Sequence, residues 1–414
     1  MGYIQDICIR AKKASYEMMN LSTEKKDAVL DAVAQGLIDN KSMIITENKK
    51  DLESAKKAGL TDAMTDRLAL DDKRIREMAR SVKEIKDLKD PLGEVTYSTV
   101  RPNGIAVRRV RVPIGVIGII FESRPNVMID TASLCLKSGN ACVLRGGKEA
   151  KHSNIILGRI ITDGLKKAGV TEDAVQVVEK TERGLVLELL KEKDHIDMIV
   201  PRGGEGLISF VTEHSLIPVV KHDKGVCNIY IESDADTDMA LRITENAKIQ
   251  RPGVCNAVEN IIIHKDFPGM KKVLENLHKE GVEIVGDEAA QKAASFIGKA
   301  AQEDYTTEYL DLKVSVKTVA SFGEAVDFIH ANGSGHTEAI ITSDNKKASD
   351  FQAMVDSAVV LVNASTRFSD GGCFGLGAEV GISTQKLHVR GPMGLSDLTC
   401  LKYVVDGNGQ TREQ

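Results

Sequence analysis

Short apolar runs alternate with helical patterns through most of the chain after Val112. Between Val112 and about Asp236 the runs are VPIGVIGIIF, ACVLRGG, AVQVVE, DMIVPRGG, LIPVVK and NIYIE, and amphipathic segments separate them. A second series extends from about Arg242 to Val362 and contains NIIIH, VEIVG, AIIT and VVLVN. This alternation is typical of parallel βαβ units covered by helices. We therefore predict an α/β fold with two large domains.

Size and composition agree with this prediction. A chain of 414 residues exceeds what one hydrophobic core usually organises. Aromatic residues make up only 4% and Trp is absent, so the interior must consist of Ile, Val, Leu and Ala, as in helix-covered parallel sheets. The formal net charge is −5 and no long basic run stands apart, which argues against a nucleic-acid partner.

The N-terminus mixes acidic and basic residues without an apolar signal core, and no stretch offers eighteen uninterrupted apolar residues. We therefore predict a cytoplasmic protein without a membrane partner. Nine His residues lack ligand spacing, so no metal is predicted. The cysteines are odd in number and never form C-x-x-C, which argues against a disulfide framework and leaves a thiol free to react. They are Cys8, Cys135, Cys142, Cys227, Cys255, Cys373 and Cys400.

Residues 22–89 have the pattern of amphipathic helices. Val29, Leu30, Val33 and Leu37 repeat at helical spacing, and charged residues fill the opposite face. The charged runs in this region are therefore interpreted as a solvated helix surface.

A β-hairpin is predicted in the segment GEVTYSTVRPNGIAVRRVRVPIG. Asn103-Gly104 joins its two β-rich runs, and the positive φ angles available to this dipeptide suit a tight turn. The later segment LTCLKYVV offers a strand that pairs with this arm. Because a lone hairpin is marginally stable, we expect it to pack against another subunit in a homo-oligomer, a dimer or a tetramer.

Cys255 lies in QRPGVCNAVENIIIH, in a Pro/Gly turn just before an apolar run. A thiol in such a turn is exposed and close to backbone N–H groups, which favour the thiolate. The alternative is a small buried side chain without chemistry, which is the usual role of a free cysteine. The surrounding motifs decide between these interpretations.

Three further segments combine glycines with cationic or hydroxyl side chains. Gly-rich turns that open helices let backbone approach phosphate, and Arg supplies charge and paired donors. The segment FGLGAEVG has the spacing GxGxxxG and follows no strand, so it is not interpreted as a dinucleotide motif. The predicted cofactor-binding residues are Arg145, Gly146, Gly147, Lys148, Arg202, Gly203 and Gly204, and the predicted anion-binding residues are Ser365, Thr366, Arg367 and Arg390.

The combination of FESRPNV, GGKEAKHSN, PRGG, QRPGVCNA and FGLGAEVGISTQKLHVRGPMG resembles the gamma-glutamyl phosphate reductase family, within the aldehyde dehydrogenase superfamily. The similarity runs in order from about Gly93 to Tyr403. It implies reduction of L-glutamyl 5-phosphate to glutamate 5-semialdehyde by NADPH, the second step of proline synthesis from glutamate. It also points to glutamate 5-kinase as a functional partner.

The resemblance implies roles for individual residues. Cys255 forms a thioester and phosphate leaves, while Asn126 and the Cys255 N–H stabilise the oxyanion. The alternative for Asn126 is a loop-capping side chain. Ser123 and Arg124 of the FESRPNV segment are implied substrate contacts.

Two cofactor contacts stay less defined. Either Arg145 or Lys148 takes the place of the lysine that contacts the adenosine ribose. Glu308 contacts the nicotinamide ribose, unless it is a solvated surface carboxylate.

Two rivals share the fold: a coenzyme-A-acylating aldehyde dehydrogenase and a non-catalytic scaffold. The segment VVKHDKGVCNIY has Lys221 and His222 where hydrolytic relatives carry a general-base Glu, so phosphate rather than water is expected to accept the acyl group. The fold expected is aldehyde dehydrogenase-like, with a Rossmann-like cofactor domain, an α/β catalytic domain and a small β-hairpin element. Its predicted parts are 1–95 with 113–240 (cofactor-binding), 241–362 (catalytic, with Cys255), 96–112 with 385–414 (oligomerisation hairpin and tail) and 363–384 (Gly-rich active-site segment).

Overall fold

A computed structural model describes residues 2–412 of the chain. The chain forms two compact units, and each is described by itself. Within the described residues, unit 1 comprises 2–221, 375–381 and 393–412, and unit 2 comprises 222–374 and 382–392.

Fourteen α-helices and sixteen strands are found in the described part of the chain. The helices are α1 (Tyr3–Met18), α2 (Thr23–Asp39), α3 (Lys41–Lys57), α4 (Asp62–Leu68), α5 (Asp72–Asp87), α6 (Pro125–Lys137), α7 (Lys151–Lys167), α8 (Gly184–Leu189), α9 (Glu205–His214), α10 (Thr237–Ile249), α11 (Met270–Lys279), α12 (Glu288–Ala293), α13 (Phe322–Asn332) and α14 (Asn345–Met354). The strands are β1 (Val95–Val100), β2 (Ala106–Pro113), β3 (Val116–Phe121), β4 (Ala141–Gly146), β5 (Val175–Val177), β6 (Met198–Arg202), β7 (Cys227–Ile231), β8 (Val258–His264), β9 (Glu283–Gly286), β10 (Gly298–Lys299), β11 (Lys313–Val319), β12 (Thr337–Ile341), β13 (Val359–Val362), β14 (Gly381–Ser383), β15 (Gly391–Met393) and β16 (Thr399–Asp406).

Five helices precede the strands, and four of them, α2 to α5, lie in residues 22–89, where the periodicity predicts helices. The side chains of Ser22 and Asp71 accept hydrogen bonds from the first turns of α2 and α5, so both helices begin at capping residues. The four apolar residues predicted to face the core of α2 are all buried. Helix α1 also buries an apolar stripe, including Ile4 and Cys8.

Unit 1 contains a four-stranded parallel sheet with the order β5-β4-β3-β6. Four of the predicted apolar runs form these strands. The run LIPVVK is the exception, because it makes only one isolated bridge, between Ile199 and Val219. Pro218 lies inside that run and has no N–H to donate to a ladder, although its carbonyl accepts from the Ile199 N–H at 2.8 Å. The prediction of a strand there is wrong.

Unit 2 contains a seven-stranded parallel sheet with the order β10-β9-β11-β8-β7-β12-β13. Strand β7, the run NIYIE, pairs with β8 and β12 in this sheet and not with the strands of unit 1. The compact units therefore divide after Lys221, whereas the sequence placed the boundary after residue 240. A local pattern identifies a strand, but its sheet depends on distant pairing partners.

The hairpin of β1 and β2 is extended by β16 into a three-stranded antiparallel sheet, which is the pairing expected for LTCLKYVV. The turn differs from the expectation in detail. Gly104 has a positive φ of +87°, whereas Asn103 does not. The Gly104 N–H donates to the Arg101 carbonyl at 2.8 Å, so Pro102 and Asn103 are the central residues of a β-turn and Gly104 follows them.

None of the helices in the described part of the chain combines the length and the apolar character that a bilayer span requires. Residues 2–412 also contain no group of three or more His, Cys, Asp or Glu side chains placed to hold a metal ion.

Candidate active site

Cys255 lies in the turn between α10 and β8, at the end of the unit 2 sheet. Its exposure is intermediate, so it is neither a core side chain nor a fully solvated one. Gly225 packs directly against this turn: a Cβ atom at Gly225 would lie 2.2 Å from the Cys255 carbonyl oxygen. Only glycine at position 225 allows this approach of the two backbone segments. The Cys255 turn is therefore held closely from one side.

The other cysteines occupy different environments. Cys8, Cys135, Cys142 and Cys227 are buried. Burial raises the pKa of Cys8 to about 12 and raises the pKa of Cys227 well above its ordinary value. The thiols of Cys8 and Cys227 therefore stay protonated at neutral pH and are poor nucleophiles. The remaining two, Cys373 and Cys400, are exposed.

Cys227 contacts the turn that carries Cys255. Its thiol donates a hydrogen bond to the Cys255 carbonyl oxygen, with a distance of 3.1 Å from Sγ to O. The Cys227 Sγ also lies 3.6 Å from Nδ1 of the buried His336. Burial, and then the charge of His222, lower the pKa of His336 to about 3, so this ring is neutral. Sequence reasoning missed both residues, since Cys227 begins an ordinary apolar strand and His336 directly precedes another.

Glu308 lies close to Gly225, which packs against the Cys255 turn. A Cβ atom at Gly225 would lie 2.7 Å from Glu308 Oε1, and also 2.7 Å from the Cys255 Cα atom. Glu308 is half-buried, which disfavours the alternative of a solvated surface carboxylate. The backbone two residues later, at Leu310, has a positive φ of +55°. Its N–H donates to Glu259 Oε1 at 3.3 Å.

Glu259 and Lys248 form a fully buried ion pair with a 2.8 Å separation between Nζ and Oε2. Burial raises the pKa of Glu259 to about 7, while burial also lowers the pKa of Lys248. Removing either partner would leave the other polar group buried without its partner, which typically costs several kcal/mol of folding free energy. This pair anchors the loop that carries Glu308.

Arg367 contacts two residues near Cys255 in the chain. Its Nε donates to Gln250 Oε1 at 2.8 Å, and its Nη1 donates to Oδ1 of Asn256, the residue after Cys255. Burial, and then the charge of Arg251, lower the pKa of Arg367, whereas negative charge on Asp370 and Cys255 acts in the opposite direction. Arg367 is thus hydrogen-bonded to the residue that follows Cys255 in the chain.

Of the other predicted anion-binding residues of unit 2, Ser365 and Arg390 have hydrogen-bond partners. Ser365 is buried, and its Oγ accepts from the Arg367 N–H at 3.3 Å. Thr366 is fully buried, and its Oγ1 has no hydrogen-bond partner among the described residues. Arg390 donates from Nη1 to Asp356 Oδ1 at 2.7 Å and from Nη2 to the Asp356 carbonyl at 2.7 Å. Their contact with substrate stays a prediction.

The FESRPNV segment lies in unit 1, between β3 and α6. Ser123 has a positive φ of +46°, and its N–H and hydroxyl both donate to Glu149 Oε1, at 2.6 and 3.0 Å. Arg124 is the N-cap residue of α6. Asn126 is exposed in the first turn and its Nδ2 donates to Asp130 Oδ2 at 3.4 Å, so it is not the capping residue. The oxyanion role of Asn126 stays a prediction.

Arg145 and Gly146 end β4, and Gly147 and Lys148 follow them in the turn. Arg145 is 8% exposed, and its Nη2 donates to the Thr181 carbonyl at 3.2 Å, whereas its buried Nε has no partner among the described residues. Lys148 is exposed.

Carboxylates of the chain itself cover both glycine turns of unit 1. A Cβ atom at Gly147 would lie 2.0 Å from Glu149 Oε1. At the second turn, Arg202, Gly203 and Gly204 link β6 to α9, and the Gly204 N–H donates to Glu122 Oε2 at 3.1 Å. The sequence pattern did not anticipate these carboxylates. A phosphate bound to the Gly204 N–H would have to displace Glu122.

The buried Arg145 Nε lacks a partner, and so does Asn154 Oδ1, whose side chain packs against Gly146. Two unsatisfied buried polar atoms at the end of one parallel strand fit a polar ligand there, because such atoms are normally hydrogen-bonded. The carboxyl ends of parallel strands are also where dinucleotides bind in α/β sheets. The residues of this turn therefore fit a dinucleotide.

Comparison with known proteins gives a consistent result. The profile of the aldehyde dehydrogenase family matches residues 3–312. Curated relatives named gamma-glutamyl phosphate reductase include those of Geobacter metallireducens, 50% identical over 412 residues, and Leptospira interrogans, 51% identical over 410 residues, each covering 99% of both chains.

Solved structures agree with the sequence relatives. The crystal structure of gamma-glutamyl phosphate reductase from Thermotoga maritima is 42% identical, covers 100% of both chains and has a TM-score of 0.97. An acetylating aldehyde dehydrogenase from Geobacillus thermoglucosidasius covers 99% of this chain and 98% of its own, with a TM-score of 0.71 and 17% identity, and so shares the fold alone. The chain belongs to the aldehyde dehydrogenase family.

Proposed function

We propose that this chain catalyses NADPH-dependent reduction of L-glutamyl 5-phosphate to L-glutamate 5-semialdehyde with release of phosphate, the second step of proline biosynthesis from glutamate. The observation that carries the proposal is the 50% identity, over 99% of both chains, to a curated gamma-glutamyl phosphate reductase. The half-exposed Cys255 beside Arg367 supports it, because acyl transfer to a thiolate needs an accessible thiol next to positive charge.

Cys255 acts as the nucleophile. Its thiolate attacks the acyl carbon of the substrate, and the bond from that carbon to the phosphate oxygen breaks, so that a thioester forms and phosphate leaves. The nicotinamide cofactor supplies a hydride to the acyl carbon when bound. Collapse of the resulting tetrahedral oxyanion releases the aldehyde and regenerates the Cys255 thiolate.

Hydrogen-bond donors must meet the oxyanion that develops on the acyl oxygen. We assign this role to the Cys255 N–H and to the Asn126 side-chain amide, because donors fixed before the reaction stabilise charge that appears only in the transition state. Ser123, Arg124, Ser365 and Thr366 are assigned to the substrate on the basis of the resemblance alone.

Cofactor binding is assigned to unit 1, with Glu308 of unit 2 as the contact to the nicotinamide ribose. Of the two alternatives after β4, we assign Lys148 to the adenosine 2′-phosphate, since Lys148 is exposed while Arg145 is buried and bonded to the Thr181 carbonyl. Arg202, Gly203 and Gly204 are assigned to the same ligand.

We also propose that the three-stranded sheet is an oligomerisation element. Its strands β1 and β16 expose large apolar side chains, whose exposed fractions are 48% for Val95, 50% for Tyr97, 70% for Val100, 65% for Tyr403 and 55% for Val405. Clustered exposed apolar residues favour association between subunits. Light scattering of the purified protein tests for a dimer or tetramer, and replacement of Val100 and Tyr403 by Ser should shift it toward the monomer.

The decisive assay runs the reaction in reverse. Glutamate semialdehyde, NADP⁺ and phosphate should give sustained NADPH formation with saturable phosphate dependence, while coenzyme A should not replace phosphate. Without phosphate or arsenate, NADPH formation should stop after one turnover per site, because Lys221 and His222 occupy the place of a general-base Glu. Coenzyme-A dependence would favour the acylating aldehyde dehydrogenase. Sustained turnover in phosphate-free buffer would contradict the acyl-phosphate reaction.

A further inference from the structure

Polar contacts around the turn that carries Cys255 in unit 2 form a ring. Covalent bonds complete this ring within Ser369 and between Asn256 and Cys255. From Cys255 the ring passes to Cys227 at the start of β7 and to His336, the residue before β12, as described above. His336 Nδ1 lies 2.8 Å from Thr337 Oγ1, and the Thr337 hydroxyl donates to Ser369 Oγ at 2.8 Å. The Ser369 carbonyl accepts from Asn256 Nδ2 at 2.8 Å, which returns the ring to the residue after Cys255.

The hydrogen bonds of Thr337 indicate which ring nitrogen of His336 carries the proton. Thr337 gives its only proton to Ser369, so it must accept from His336, whose neutral ring therefore carries its proton on Nδ1. Cys227 gives its thiol proton to the Cys255 carbonyl. The Nδ1 proton is thus used on Thr337, and the buried His336 Nε2 has no hydrogen-bond partner among the described residues. The hydrogen bonds of Thr337 and Asn256 to Ser369 restrain the residues that they connect.

The ring determines the orientation of the Asn256 side chain. Asn256 is 4% exposed, and its Nδ2 is committed to the Ser369 carbonyl, so its Oδ1 must face the opposite way, toward Arg367. Arg367 Nη1 donates to this oxygen, and Arg367 Nε donates to Gln250. Two donors of one planar guanidinium are therefore fixed on two acceptors, which defines the plane and position of the cation.

We propose that Asn256 is a positioning residue that holds the Arg367 guanidinium next to Cys255, so that one cation both stabilises the thiolate and attracts the anionic group of the substrate. A cation held within a few ångströms of a thiol favours the thiolate. The inference rests on the proposed function for the identity of the nucleophile, but it goes further by giving Arg367 a role before any substrate binds.

The test measures the rate of Cys255 alkylation by iodoacetamide as a function of pH in the free protein. Mass spectrometry of the Cys255 peptide is required, because Cys373 and Cys400 are also exposed. In Asn256→Ala the midpoint of the alkylation profile should rise by about one pH unit, the lower end of the effect of a nearby opposite charge. Arg367→Gln should raise it by the same amount or more.

A double variant separates positioning from an independent effect. If Asn256 acts through Arg367, the variant that combines Asn256→Ala with Arg367→Gln should have the alkylation midpoint of Arg367→Gln alone. The exposed Gln250→Ala variant, which removes only the Nε contact, should show a smaller shift in the same direction, and it serves where Asn256→Ala fails to fold. Asn276→Ala in α11, whose amide bonds only Glu245 Oε2 at 2.9 Å, is the matched control and should leave the midpoint unchanged.

Steady-state kinetics in the reverse direction supply the second readout. Asn256→Ala should raise the KM for phosphate at least several-fold and leave the KM for NADP⁺ unchanged. Additive midpoint shifts in the double variant, or an unchanged midpoint in Asn256→Ala and in Gln250→Ala, would overturn the inference. The alkylation experiment needs no turnover, so it decides the inference even if the chain fails to reduce NADP⁺ with glutamate semialdehyde, a result that would end the proposed function instead.

Discussion

The predicted cofactor turns of unit 1 and the Cys255 turn of unit 2 have different polar surroundings. In unit 1 the predicted cofactor turns carry carboxylates near the surface, where Glu122 and Glu149 accept from backbone N–H groups of neighbouring turns. In unit 2 the nucleophile turn rests on a buried polar layer that includes Cys227, His336 and Glu338. Surface contacts of the first kind exchange readily with water or a ligand, whereas the buried layer of the second kind is fixed.

The difference has an energetic meaning. Buried polar and charged groups contribute little net stability, and replacing them by apolar residues is often neutral or favourable. The fully buried pair of Lys248 and Glu259 and the fully buried Glu338 are therefore poorly explained by stability alone. A surface that binds and releases a cofactor needs exchangeable contacts, while a covalent nucleophile needs a fixed support.

The largest effect is expected at Cys255 of unit 2, the proposed nucleophile. Cys255→Ala should lower turnover by at least about 1000-fold, because the thioester can no longer form. Folding should be nearly unchanged, since the side chain is only half-buried. Activity assays and thermal unfolding measure the two effects. Cys373→Ala and Cys400→Ala, at exposed positions, are controls that should keep activity, and appreciable turnover in Cys255→Ala would end the thioester mechanism.

The second prediction concerns the folding free energy that is lost by burying the Glu338 carboxyl group. Burial raises the pKa of Glu338 to about 8, although Oε2 accepts from the Asn228 N–H at 2.9 Å and from Asn228 Nδ2 at 2.6 Å. In the native state the carboxyl keeps its proton up to about pH 8, whereas in the unfolded state it loses it near its ordinary value. The unfolded state is therefore favoured progressively as pH rises between these values.

Glu338→Gln removes this titration and keeps an oxygen for Asn228. We expect the variant to gain about 2–3 kcal/mol of unfolding free energy relative to wild type between pH 5 and pH 7.5. Urea unfolding at both pH values measures the difference. Glu324→Gln, at a surface helix position, is the control, and a pH-independent difference for Glu338→Gln would show that the carboxyl is ionised in the native protein.

The third prediction compares two arginines of unit 2, Arg367 and Arg390. Arg367→Gln should raise the KM for phosphate in the reverse assay about tenfold, equivalent to about 1.4 kcal/mol, and change the KM for NADP⁺ little. Arg390→Gln should have a smaller effect, because both terminal nitrogens of Arg390 are bonded to Asp356. Phosphate titrations of the two variants measure this order, and an unchanged phosphate KM in both would show that other residues bind the anion.

The smallest effect is expected in unit 1. Lys148→Ala should lower kcat/KM for NADPH by about five- to tenfold and leave the value for NADH unchanged, since an exposed lysine contributes about 1 kcal/mol to a phosphate contact. Lys151→Ala, at the exposed start of α7, is the matched control. Wild type should prefer NADPH. Equal values for both cofactors in wild type would remove the assignment of Lys148 to the 2′-phosphate.

Sequence patterns predicted most of the secondary structure and failed at particular places. The segment KVSVKTV, which forms β11 in the middle of the unit 2 sheet, was not recognised, because Lys and Ser interrupt its apolar residues. The buried Val314 and Val316 alternate with polar residues, and this period of two was the available signal. The run LIPVVK was wrongly predicted to be a strand because it is apolar. Its proline has no N–H to donate to the hydrogen-bond ladder of a sheet.

The candidate site was only partly accessible from sequence. Cys255 and Arg367 stand in turns among Pro, Gly and hydroxyl residues, where local composition distinguishes them from core positions. Asn256 follows Cys255 directly, yet nothing local indicates that its amide bridges Ser369 and Arg367. Cys227, His336 and Glu338 stand in or beside strands and carry no local signature.

The sequence by itself determined the α/β class, the helical N-terminal region, the hairpin with its returning strand and the cysteine most suited to chemistry, because periodicity, turn residues and motifs are local properties. Tertiary structure alone decided which sheet received β7, that Gly225 and Glu308 approach Cys255, and that Asn228 meets Glu338. These contacts depend on the order of strands in the parallel sheet, where β7 lies between β8 and β12. Residues distant in the chain become neighbours only when that order is established, and no local pattern encodes it.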